Sequence, residues 1–180
     1  GVNNTYKLNF EKRLNNLNLG ISYMNGLRNP TLYEMFGTDN FGYSGNRNLK
    51  PEKSNTYEVY SNMLLNEYVN LSIRAFKSNI QNNIEYISNK YQNDSDNIDL
   101  NQSGLNNQIN VKFKNTNLNF FSSFLSSKKE NNASQLRRPN KNYGLNIYRK
   151  IKNNLFGNLT LNLKYNHYGK HFDTHSTNFS

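Results

Sequence analysis

Apolar side chains recur at every second position through much of the chain. The runs are Tyr6/Leu8/Phe10, Leu17/Leu19/Ile21/Tyr23, Tyr57/Val59 with Met63/Leu65, and Val69/Leu71/Ile73/Ala75. The pattern continues in Ile109/Val111/Phe113, Leu118/Phe120, Tyr143/Leu145/Ile147 and Leu159/Leu161/Leu163/Tyr165. Successive side chains of a strand point to opposite faces, so each run predicts a strand with one apolar face and one wet face. Between the apolar members stand Asn, Ser, Lys, Arg and Glu, as in the segment from Asn158 to His167, which makes the second face strongly polar.

The predicted connections alternate in length. Short turns fall near Leu14–Asn16, Asn66–Glu67, Asn115–Asn117 and Asn153–Asn154, and long polar loops run about Leu27–Ser54, Asn89–Gly104 and Lys128–Lys141. Short turns at one end and long loops at the other, joining strands of ~10 residues, is the plan of an antiparallel barrel in a bacterial outer membrane. Closure matters in that setting because hydrocarbon offers no hydrogen-bond partner to an open sheet edge. Tyr6, Tyr23, Tyr143 and Tyr165 lie near strand ends, where either an interfacial aromatic girdle or plain strand preference accounts for them.

Composition narrows the choice. Hydrophobic residues make up 34% of the 180 residues and mean hydropathy is −0.92, too little apolar content for a large dry interior. Asparagine supplies about a fifth of the chain, yet the regular apolar positions among the asparagines argue against a disordered polar tract. The net charge is +10, but Lys and Arg are spread over turns, polar strand positions and loops, so a nucleic-acid partner is not expected. The absence of cysteine excludes a disulfide framework and a thiolate metal site. No run approaches the ~20 apolar residues of a spanning helix, and the opening Gly1-Val2-Asn3 has the look of an excerpt.

Two stretches carry a more specific likeness. Gly26-Leu-Arg-Asn-Pro-Thr-Leu-Tyr-Glu-Met-Phe36, followed by Gly45-Asn-Arg-Asn-Leu-Lys-Pro-Glu-Lys-Ser54 and Tyr57-Glu58, resembles a signature of TonB-dependent receptors. Pro30 and Pro51 would end ladder pairing at the two mouths of the loop, and Gly37, Gly42 and Gly45 allow tight bends between them. Phe76 to Tyr86 is similar to a strand of that family that continues beyond the membrane. Leu136-Arg-Arg-Pro139 and Tyr168-Gly-Lys-His-Phe-Asp173 resemble later phrases.

The order of the blocks looks closest to the cobalamin-receptor branch. The resemblance implies an all-β fold: residues 1–180 would form part of the barrel domain, about eight antiparallel up-and-down strands of a 22-stranded barrel, or a curved open sheet if alone. It further implies active uptake of cobalamin or an iron chelate, siderophore or haem, across the outer membrane. The TonB complex would act through a plug domain outside these residues, and outer-membrane lipid and a small-molecule substrate are the other expected partners.

Candidate chemistry is sparse. His167, His171 and His175 are spaced four apart, but Gly169 and the preceding alternation argue against the helix that would align them, and Asp94, Asp96 and Asp99 lack the glycine and terminal glutamate of a calcium loop. No nucleophile elbow, phosphate loop or zinc-protease motif is present, so neither catalysis nor a cofactor is expected. The substrate-contact candidates are Tyr33, Phe36, Phe41, Tyr43 and Arg47 of the longest loop. They combine ring area with a charge, which suits a bulky amphipathic ligand, and each ring could equally pack the loop onto the rim. Two alternatives stand beside the importer: a closed eight-stranded structural or adhesive barrel, and a soluble β-sheet binding module that buries its apolar faces.

Overall fold

The structure, a computed structural model, describes residues 4–87, 90–93, 99–129, 138–153 and 157–170. Its elements in chain order are β1 (Lys7–Leu14), β2 (Leu17–Arg28), α1 (Leu32–Phe36), β3 (Glu52–Leu64), β4 (Val69–Gln81), β5 (Ile84–Ile87), β6 (Lys90–Asn93), β7 (Leu100–Phe113), β8 (Thr116–Lys129), β9 (Lys141–Asn153) and β10 (Gly157–Tyr168). Eight strands form one antiparallel sheet in the order β1-β2-β3-β4-β7-β8-β9-β10, and β5 pairs with β6 in a separate hairpin. Every neighbour in the large sheet is a neighbour in sequence apart from the inserted hairpin, the up-and-down order that the alternating connections predict.

The registers line the apolar residues into continuous rows. One runs Phe10, Ile21, Val59, Ala75, Leu105, Phe124 across six strands, and another runs Leu17, Met63, Leu71, Ile109, Phe120, Leu145, Tyr165. A slip of one residue in any strand would throw its apolar set to the other face, so these rows specify the pairing. Their side chains stay open to the surroundings: Phe10, Ile21, Val59, Leu161 and Leu163 are all exposed, and the only buried hydrophobic residues among those described are Tyr43, Leu49 and Leu100. The described strands thus do not pack their apolar rows against one another, and without a β1–β10 pairing they form an open sheet rather than a closed eight-stranded cylinder.

The opposite face is polar and more sheltered, with Ser22 and Ser78 buried on it. Ser123 donates to Asn106 at 2.6 Å, Asn119 to Asn110 at 2.6 Å and Asn146 to Asn119 at 3.3 Å, so amides bridge β7, β8 and β9. Arg74 faces Glu58 at 3.6 Å, and the Tyr60 hydroxyl donates to Glu11 at 3.0 Å. Three large rings of this face, Tyr60, Phe76 and Phe121, lie over glycines on the paired strand. A Cβ on Gly20 would fall 2.1 Å from Tyr60 Cζ, and one on Gly104 would fall 2.5 Å from the Phe76 ring. The missing side chain is the room the ring occupies.

At the end that carries the longer connections, the rings of Tyr6, Tyr23 and Tyr57 form a chain, with centroids 5.8 and 4.9 Å apart. Tyr6 and Tyr23 thus share one level at that end of the sheet. Tyr143 instead stacks on His167 at 4.6 Å.

Several boundaries differ from the pattern reading. β7 starts at Leu100, where a loop to Gly104 was expected, and its first residues pair with β4 and β8 although their apolar alternation has ceased. The segment from Phe76 to Tyr86 does continue beyond the apolar rows, but it breaks after Gln81: Asn82 takes φ 54°, and the chain restarts as β5 in the other sheet. Asp94, Asp96, Leu136, Arg137, His171, His175 and the phrase beyond Lys170 lie outside the described residues.

Candidate functional site

The loop between β2 and β3, residues 29–51, is built around the one short helix. Pro30 follows the end of β2, and Thr31 caps α1: the Thr31 amide donates to the Glu34 carboxylate at 2.7 Å and the Glu34 amide donates to the Thr31 hydroxyl at 3.2 Å. This reciprocal pair satisfies two amides that the helix leaves unpaired. The Glu34 carboxylate also receives the Arg28 guanidinium, which stands 3.5 Å from Glu52 as well. Arg28 at the end of β2 thus ties the helix and the start of β3 together, and the loop is closed at its base.

Burial pushes the Glu34 carboxyl up, but the hydrogen bonds from Thr31 and Arg28 outweigh it and hold the group below its ordinary value of 4.5. A depressed folded value means the stabilisation is complete above 4.5 and is lost as pH falls from there through the lower folded value. Protection of residues 29–51 against protease should therefore hold from neutral pH down to mild acid and then fade. Glu34→Gln should remove that acid dependence, and an unchanged profile in the variant would sink the assignment.

The five substrate-contact candidates separate into two pairs and a tip. Tyr33 and Tyr43 stack at 4.7 Å with ring planes 15° apart, and the Tyr43 hydroxyl donates to the Tyr33 carbonyl at 2.6 Å. Tyr43 is 4% exposed, so this ring packs the loop and offers little to a ligand. Phe36 lies under Arg47, whose guanidinium carbon is 5.3 Å from the ring centroid. Asp39 accepts the amides of Phe41 and Tyr43 at 2.8 and 2.9 Å, and this turn displays Phe41, 90% exposed, at the tip. Tyr33 and Phe36 are each about half exposed.

A second element supports the loop. Tyr86 of β5 meets Tyr43 with centroids 6.0 Å apart, the Ile84 amide donates to Glu52 at 2.7 Å, and Asn82 donates to the Pro51 carbonyl at 3.3 Å. Glu52 thus connects both loops. The hairpin is in turn anchored to the sheet by Lys129 of β8, 2.9 Å from Glu85, with the two side chains only 8% and 11% exposed. Arg28, Glu34, Tyr86 and the Lys129–Glu85 pair had no assigned role in the sequence reading. The Thr31-x-x-Glu34 spacing was a signal for Glu34, whereas nothing local announces the others.

Of the chelating candidates, Asp99 accepts from Asn79 at 2.9 Å and His167 stacks on Tyr143. No cluster of three His, Cys, Asp or Glu that could hold a metal occurs among the described residues. No helix among them is long and apolar enough to cross a membrane.

Comparison with known proteins agrees with this architecture. No curated protein matches the chain in sequence. Among solved structures, the ferric-catecholate import receptor Fiu from E. coli K12 superposes with a TM-score of 0.59 at 16% identity, over 83% of this chain and 22% of the receptor. The copper transporter OprC superposes with a TM-score of 0.62 at 13% identity, over 90% of this chain and 30% of the transporter. The chain thus spans less than a third of either relative, and at these identities the likeness is one of fold. A family model described as "TonB dependent receptor-like, beta-barrel" matches residues 2–180. With nearly every residue inside that match, and with apolar rows on the outer face of an open antiparallel sheet, the chain belongs to the TonB-dependent receptor β-barrel family, a family of outer-membrane receptors and transporters rather than enzymes.

Proposed function

We propose that residues 1–180 are part of the barrel domain of a receptor that actively imports a bulky metal chelate: cobalamin, an iron siderophore or haem. The whole protein then adds further strands and a plug, and the TonB complex, driven by the inner-membrane proton gradient, rearranges that plug to release the substrate inward. The observation that carries this reading is the braced loop of residues 29–51, which presents the exposed Tyr33, Phe36 and Phe41 rings beside Arg47 at the mouth of an outer-membrane wall. Rings held in place offer contact area at little entropic cost, and a cation suits the acidic groups of many chelates. An iron-chelate importer and a copper transporter among the structural relatives favour metal-bearing cargo, and the order of the sequence blocks favours cobalamin within that class.

The test is binding by the full-length receptor of cyanocobalamin, a ferric catecholate and haemin. One of the three should bind, and Phe41→Ala should weaken that binding on the order of tenfold while leaving the barrel folded. Failure of all three to bind, or unchanged affinity in both Phe41→Ala and Arg47→Ala, overturns the assignment of this loop.

A further inference from the structure

The apolar face is not flat. Across β1 to β4, a groove of about 500 Å³ opens between Phe10, Ile21, Val59 and Ala75, and its end toward the longer loops is framed by Tyr57 and Lys77. Lys77 is exposed and directly opposite Tyr57 in the register, at the level where the tyrosine chain marks the edge of the apolar rows. Its ammonium makes no ion pair among the described residues. The neighbouring carboxylate, Glu58, turns to the other face, where it meets Arg74 at 3.6 Å. Lys53, Lys128 and Lys141 share the outward face near this end, are likewise exposed, and make no ion pair among the described residues.

An apolar groove that ends in a tyrosine and an unpaired ammonium matches one kind of molecule, an acyl chain joined to an anionic head. We propose that this groove is a specific seat for a phosphate-bearing lipid of the leaflet at the loop end, with the acyl chain between Phe10, Ile21, Val59 and Ala75 and the phosphate on Lys77. The occupant is a lipid rather than free phosphate because the cation alone is open to water, and the groove supplies the rest of the contact. The inference rests on the membrane reading of this face, and each cation near a membrane surface adds about 1 kcal/mol toward an anionic lipid, roughly a fivefold change in occupancy.

The experiment uses the full-length receptor, delipidated in detergent and titrated with dimyristoyl phosphatidylglycerol or dimyristoyl phosphatidylcholine, with bound lipid counted by native mass spectrometry. Lys77→Gln should lower phosphatidylglycerol occupancy about fivefold and lower phosphatidylcholine, whose phosphate is offset by its own choline cation, by less. Ala75→Phe, which fills the groove and keeps the charge, should lower both. Lys150→Gln, on the polar face, should alter neither. Equal occupancy in the unmodified protein, Lys77→Gln and Ala75→Phe overturns the proposal, as does displacement of the lipid by inorganic phosphate at constant ionic strength. Flotation with vesicles separates the two levels of the argument: a receptor that does not float overturns the membrane reading itself, whereas one that floats without lipid preference overturns this site alone.

Discussion

Ile109→Arg is expected to destabilise the receptor in a bilayer by about 2–4 kcal/mol, the cost of a cation facing lipid near mid-depth of a barrel wall. Ile109 lies on the outward face of β7 with Leu71 on one side and Phe120 on the other, so an arginine there has no polar neighbour in its row and a long climb to either interface. The native cations on the same face avoid that position: Lys12 and Arg149 stand toward the short-turn end, and Lys77 and Lys128 toward the loop end. Asn166→Arg, on the polar face of β10, should cost no more than about 0.5 kcal/mol. Folding of the full-length protein into vesicles, followed by urea titration of both variants, gives the comparison. Equal midpoints for the two would mean that the apolar rows do not face lipid.

The second large effect concerns the hairpin. Lys129→Met should loosen β5 and β6 severely, because it leaves the Glu85 carboxylate sheltered and unpaired, a defect that costs about 3–5 kcal/mol. Glu85 and Lys129 sit beyond the apolar rows, so the damage should be local: faster amide exchange in residues 84–87 and, through Tyr86 and Tyr43, in residues 33–49, with the strands in lipid unaffected. Replacing both partners, Lys129→Met with Glu85→Leu, should recover most of the loss, since an apolar pair of similar volume carries no stranded charge. Unchanged exchange in the single variant would show that the ion pair does not anchor the hairpin.

The strands were legible in the sequence because lipid on one side and water on the other impose a period of two on every residue between the interfaces. That signal ends where the lipid ends. Leu100 to Ser103 pair fully with β4 and β8, yet they stand at or beyond the row of Tyr23 and Tyr57, and their outward members Asn101 and Ser103 are polar, so the beginning of β7 was indistinguishable from a loop. The loop's interior was partly readable. Thr31 and Glu34 carry the spacing of a helix cap, but α1 is too short to show a helical period. The candidate rings were correctly placed in one loop, and their division into packing and display was not readable. Tyr43 and Phe41 are two residues apart and differ from 4% to 90% exposure because Asp39 turns the backbone and Tyr86 arrives from another element.

Arg28 has a bearing on recognition that goes beyond holding the loop shut. A long loop loses its freedom either when the protein folds or when the ligand arrives, and the cost grows only slowly with length. By binding Glu34 and Glu52 at once, Arg28 moves that loss into folding. On the proposed function, a visiting molecule would then meet a surface already in shape, which raises affinity and narrows the range of shapes accepted. A mouth of that kind would behave as a fitted mould, separating cargoes of similar chemistry and different outline and adapting poorly to new ones.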